Sequence, residues 1–191
     1  MKDTFITFLK PYLNFIDEGK MYREPFYWLY QLLAVLNLIF PLYVLFLAID
    51  NSLFDAGAKF VITFLLIWII LVLAGWFSFQ IWWDRKNNVA QISSVKDEFA
   101  ATPVFSHFIQ TSGEWFGTWV AIVGFGTALI ATLFLGDEAR MFARATGLGF
   151  LGTGFVSIFL MPVYGFLILV GSRFLAEQFR AIAAIANNTR N

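Results

Sequence analysis

Charged residues in this chain fall into short islands, leaving four stretches with none: Phe26–Ile49, Phe60–Trp83, Trp115–Gly136 and Ala145–Ser172. Each is predominantly apolar and long enough to cross a hydrocarbon core of roughly 30 Å, which takes about 20 helical residues. A membrane barrel would alternate apolar and polar positions along each strand, and these runs do not alternate. The pattern predicts an all-α membrane protein whose four transmembrane helices form two hairpins, 26–83 and 115–172. An amphipathic segment (1–25), a polar loop (84–114) and a helical tail (173–191) complete a single membrane domain.

The flanking segments carry patterns of their own. In 1–25, Phe5, Phe8, Leu9, Tyr12 and Ile16 recur at helical spacing, which predicts an interfacial helix bent at Pro11 and stopped at Gly19. In the loop, Thr102 suits a helix cap and Pro103 a first turn, with Val104, Phe105, Phe108 and Ile109 on one face. A second interfacial helix stopping at Gly113 is expected. Both segments run from proline to glycine and are followed by a glutamate, Glu24 or Glu114, ahead of a hairpin. A tandem duplication about an axis along the membrane normal would produce this likeness. Two entrances to hairpins from the same membrane face would produce it too, and that is the plainer reading.

Within the spans the small and kink-forming residues stand out. Pro41 lies inside span one with Asn37 four residues earlier, so a kink is expected where the proline ring frees the Asn37 carbonyl. Pro162 lies inside span four in the same way. Span three carries Gly117, Ala121, Gly124, Ala128 and Ala131 at spacings of four and three, a stripe along which a second backbone can approach closely. Gly147, Gly154 and Ser157 are the expected matching face on span four. Tight intramolecular packing of spans three and four is favoured over a seam between copies. Beyond Arg173 the last helix is expected to continue, with Arg173, Glu177 and Arg180 one turn apart on an exposed face.

Charge adds an orientation. Of the thirteen Lys and Arg residues, only Lys59, Arg140 and Arg144 fall on the side reached by the two short loops. The positive-inside bias therefore places both termini and the 84–114 loop in the cytoplasm. The first apolar run begins only after about 25 mixed residues, so no cleavable signal peptide is expected. Cysteine is absent, which removes disulfides and thiolate chemistry. With 14% charged residues, against roughly 25% in soluble domains, and with its basic residues dispersed, the chain offers no nucleic-acid footprint.

Candidate chemistry is sparse. The string GLGFLG at Gly147–Gly152 matches a dinucleotide fingerprint in letters, but no strand precedes it and no acidic residue follows about 20 positions on, so helix packing is expected instead. The sequon at Asn187 to Thr189 has no meaning in a cytoplasmic tail. His107 is the single histidine, and Glu114 lies seven residues later, a spacing that could shuttle a proton at the membrane surface. One histidine without cysteine makes no ordinary zinc site, and no cofactor is expected. No ionisable residue lies within the four stretches, whose polar members, Gln31 and Thr127 among them, suit interhelical hydrogen bonding.

The ending SRFLAEQFRAIAAIANNTR resembles the close of a family of small bacterial integral membrane proteins of unknown function, in which a hairpin leaves the membrane through an arginine, a glutamate four residues on, and a short amphipathic helix. The matching positions are Arg173, Glu177, Ile182 and Ile185. The resemblance implies an inner-membrane protein and no particular activity. These readings converge on a non-enzymatic subunit or scaffold in the inner membrane, with the lipid bilayer, a protein partner or self-association through its helices as its contacts. An oligomeric channel or transporter component is the alternative, and an enzyme acting on lipid through His107 and Glu114 is the weakest.

Overall fold

The computed structural model describes residues 10, 11, 14, 20–91 and 101–189, and these are helical without a strand among them. Four helical stretches are long and apolar enough to cross a membrane. The first is α1 (Lys20–Asp50) and the second α2 (Ala58–Gln91), joined by a short 3₁₀ turn at Leu53–Asp55. The third is built from α3 (Ala101–Trp119), a π-helical segment Val120–Gly124 and α4 (Phe125–Leu135) without interruption. After α5 (Ala139–Ala145) and a 3₁₀ turn at Gly149–Leu151, α6 (Phe155–Asn188) is the fourth. The amphipathic segment expected over 1–25 lies largely outside the described residues, and with it the first member of the suspected repeat.

Large apolar side chains point outward along these helices, Trp28, Phe46, Leu133 and Phe155 among the most exposed. A soluble fold buries such residues, so this surface matches a hydrocarbon solvent. Inside, the helices are close-packed. Val44, Phe64, Ile67, Leu71, Val123, Phe142 and Leu151 belong to one buried cluster that fills the centre of the bundle.

α1 and α2 pack antiparallel, as the contacts of Tyr30 with Trp82 and of Pro41 with Trp68 require. The proline defect in α1 shapes this pair. Asn37, whose own carbonyl Pro41 leaves without its helical donor, turns its side-chain amide to the Leu33 carbonyl at 2.7 Å. The freed Asn37 carbonyl points at Gly75 of α2, so closely that a Cβ built there would stand 2.6 Å from its oxygen. Only a glycine fits.

α3 and α6 pack antiparallel along a seam of small residues. A Cβ on Gly117 would meet the Gly165 carbonyl at 2.5 Å, and one on Gly165 would overlap the Gly117 carbonyl and Ala121. Further along, Gly124 abuts Met161, and Gly113 leaves no space for a Cβ beside Ser172. Gly113 therefore does not stop the helix as expected; it lies in mid-helix because α6 comes too close for any side chain. The partner face on α6 is also different from the expected one. Gly147 and Gly154 lie outside the helix at φ +73° and +99°, conformations that turn the chain, and α6 begins only at Phe155. Gly165 and Ser172 take the role assigned to them. Ser157 contacts Gly152 instead, and Ala128 and Ala131 are fully buried within the bundle.

The segment 137–154 folds back along the bundle. Phe142, Leu148 and Leu151 reach the core, and the Phe150 ring stacks on Trp119 at 5.9 Å with the planes only 7° apart. Thr146, fully buried, returns its hydroxyl to the Phe142 carbonyl at 3.0 Å. The uncharged run from Ala145 to Ser172 thus contains a turn, with Thr146, Leu148 and Leu151 buried and Gly147 and Gly149 exposed, followed by a helix.

Candidate functional site

At the end of the bundle formed by the start of α1, the end of α2, the start of α3 and the end of α6, aromatic and charged residues meet. The aromatic part centres on Trp82, which is buried with Tyr30 at 4.9 Å, Trp115 at 5.8 Å and Phe108 at 6.0 Å between ring centres. These rings come from three helices, brought together because helical spacing puts Phe108 and Trp115, two turns apart, on one side of α3. The Trp82 indole nitrogen has no hydrogen-bond partner among the described residues. Lys86, one turn further along α2, is also buried, with its ammonium 3.1 Å from the centre of the Trp83 ring. A lysine there is stabilised by the ring's negative face.

A polar chain surrounds these rings. Arg85 pairs with Glu114 at 3.0 Å, Gln110 donates to the other Glu114 oxygen at 2.9 Å, and Arg180 donates to the Gln110 amide oxygen at 2.9 Å. Three helices are tied by one continuous path, α2 to α3 to α6. α1 is tied separately, by the Tyr30 hydroxyl lying 2.9 Å from His107 Nδ1 and 3.3 Å from Thr111 Oγ1. Asn37 adds another link by accepting from the Trp115 indole N–H at 2.9 Å. Ser106 donates to the Ala176 carbonyl at 2.8 Å, closing α3 on α6.

The residues anticipated from the sequence are distributed unevenly over this site. His107 and Glu114 lie on the same side of α3, yet each bonds to a different helix and neither bonds to the other. Arg180 belongs to the network, turning to Gln110 and to its own Ala176 carbonyl rather than to Glu177. Arg173 and Glu177 are exposed, and among the described residues they form no ion pair with each other. Tyr30, Trp82, Arg85, Lys86 and Gln110 were not anticipated. Their only signal is position, since each falls within two turns of the boundary between an apolar run and a charged island.

Beside this network, between α1 and α3, lies an open apolar cavity of about 320 Å³ lined by Leu33, Leu36, Asn37, Phe40, Trp115, Phe116, Trp119 and Phe150. Its polar groups, Asn37 and the Trp115 N–H, are bonded to each other. The rest of its lining is apolar. Comparison with known protein families, characterised proteins and solved structures returns no match to this chain. Function therefore rests on geometry.

Proposed function

We propose that this chain is a non-enzymatic, four-span subunit or scaffold of a bacterial inner membrane, with both ends cytoplasmic, that presents a helical base to a protein partner. The observation that carries the reading is the continuation of α6. It runs from Arg173 to Asn188 as unbroken helix, about 24 Å at 1.5 Å per residue, with Phe174, Leu175, Ile182 and Ile185 exposed. A cytoplasmic helix bearing that many uncovered apolar side chains is suited to dock on another protein.

Two further features favour this reading over its competitors. The polar atoms of His107 and Glu114 are engaged in holding helices together, which leaves little for catalysis on a lipid. The filled centre of the bundle argues that any conduit would have to run between copies rather than through one. The test is copurification from native membranes in mild detergent after chemical cross-linking. The wild-type chain is expected to carry a defined protein partner in fixed ratio, and Ile182→Asp with Ile185→Asp is expected to release it at unchanged membrane insertion. Equal recovery of the partner with both forms, or none with either, overturns the scaffold reading.

A further inference from the structure

The opposite end of the bundle holds a polar cavity of about 280 Å³ between α5 and the first turn of α6, lined by Arg140, Arg144, Gly149, Gly152, Thr153 and Ser157. Arg140 and Arg144 stand one turn apart on the same side of α5. Among the described residues neither guanidinium has a hydrogen bond or a carboxylate within salt-bridge distance. The nearest acidic residues in sequence are not available to them, since Glu138 pairs with Lys59 and Asp137 lies on the exposed preceding turn. The α6 N-terminus that faces the cavity has no side-chain cap, so its positive dipole end is uncompensated as well. Gly152 keeps the floor open: its φ of +71° and its closeness to the Ser157 hydroxyl leave no place for a side chain.

Two exposed guanidiniums, unpaired among the described residues, and a helix N-terminus border one cavity, a setting that suits an anion with several oxygens. The planar guanidinium fork matches phosphate in two bonds at once, a geometry that a carboxylate shares but a halide does not. The surroundings narrow the choice further. Met141, Phe150, Phe155 and Val156, each next in sequence or within two residues of a residue lining the cavity, are all more than half exposed and leave apolar surface on the same segments. Both arginines are exposed and lie just before the last uncharged run, where an anionic headgroup at the membrane surface could reach them. We propose that this cavity binds the phosphate group of an anionic phospholipid, with its acyl chains lying over the exposed Phe155 and Val156.

The test is thermal unfolding of the full chain in a mild non-ionic detergent, titrated separately with phosphatidylglycerol, with phosphatidylcholine of the same acyl chains, and with glycerol 3-phosphate. Phosphatidylglycerol is expected to raise the unfolding midpoint at lower concentration than phosphatidylcholine. In Arg140→Gln with Arg144→Gln the concentration needed is expected to rise at least fivefold. The corresponding double lysine variant, which keeps charge and loses the fork, is expected to fall between. Lys59→Gln removes a charge from the same end outside the cavity and is expected to respond as the wild type does. An equal response to glycerol 3-phosphate would keep the phosphate site and assign it a soluble occupant. Equal titrations for the wild type and the double glutamine variant would overturn the site, and so would a Lys59→Gln effect as large as that of the two arginines.

Discussion

The two antiparallel helix pairs are held together by different means. Between α3 and α6 the approach is distributed, with Gly113, Gly117, Gly124 and Gly165 each placed where a neighbour leaves no space for a side chain. Between α1 and α2 it is concentrated at one place, Gly75 against the carbonyl that Pro41 frees at Asn37. In hydrocarbon, where burial of apolar surface no longer drives association, close van der Waals contact takes over. One pair achieves it by a row of small residues and the other by fitting a glycine into a helix defect. At Gly117 and Gly165 the row sets backbone against backbone on both helices with further close contacts on either side, whereas the single contact at Gly75 can be relieved by a local shift of α1 at its proline.

That difference orders the expected effects of substitution. Gly165→Leu forces a branched side chain against the Gly117 carbonyl and Ala121, and is expected to cost about 3 kcal/mol or more in reversible unfolding by SDS, or to abolish folding. Gly75→Ala adds one methyl at the Asn37 oxygen and should cost about 2 kcal/mol in the same assay, because α1 can bend further at its proline. If Gly75→Ala proved the more damaging of the two, the contrast between row and point would be reversed. Glu114→Gln tests the polar links instead. It removes the counter-charge of Arg85 at a partly exposed position and should cost only about 1 kcal/mol. A loss as large as that of Gly165→Leu would mean that the network, and not the seam, holds the helices.

Much of this was legible in the chain, for identifiable reasons. Four uncharged runs are enough to number the long helices, since charge is what hydrocarbon excludes most strongly. The stripe from Gly117 to Ala131 was legible because small residues at spacings of four and three fall on one helix face. Its partner was not. Gly147 and Gly154 are as uncharged as Gly165, and hydropathy does not distinguish a glycine that turns the chain from one that lets a helix approach. The reading of Gly113 failed for the same reason in reverse. At the candidate site, His107 and Glu114 could be singled out as residues, but Tyr30 and Arg85 could not be assigned to them. Those contacts join positions far apart in sequence, and they depend on how the helices are rotated about their axes.

The central proposal is that four spans separate a helical base on the cytoplasmic side from the end that carries α5 on the outer side. Because the chain contains no cysteine, single cysteines introduced at Asp137, Gln91 and Asn188 would each report one place without background. A membrane-impermeant thiol reagent applied to cells with a permeabilised outer envelope is expected to label the Asp137 position at once. The Gln91 and Asn188 positions should react only after the inner membrane is lysed. Labelling at Asn188 before lysis, or protection at Asp137, would contradict the account.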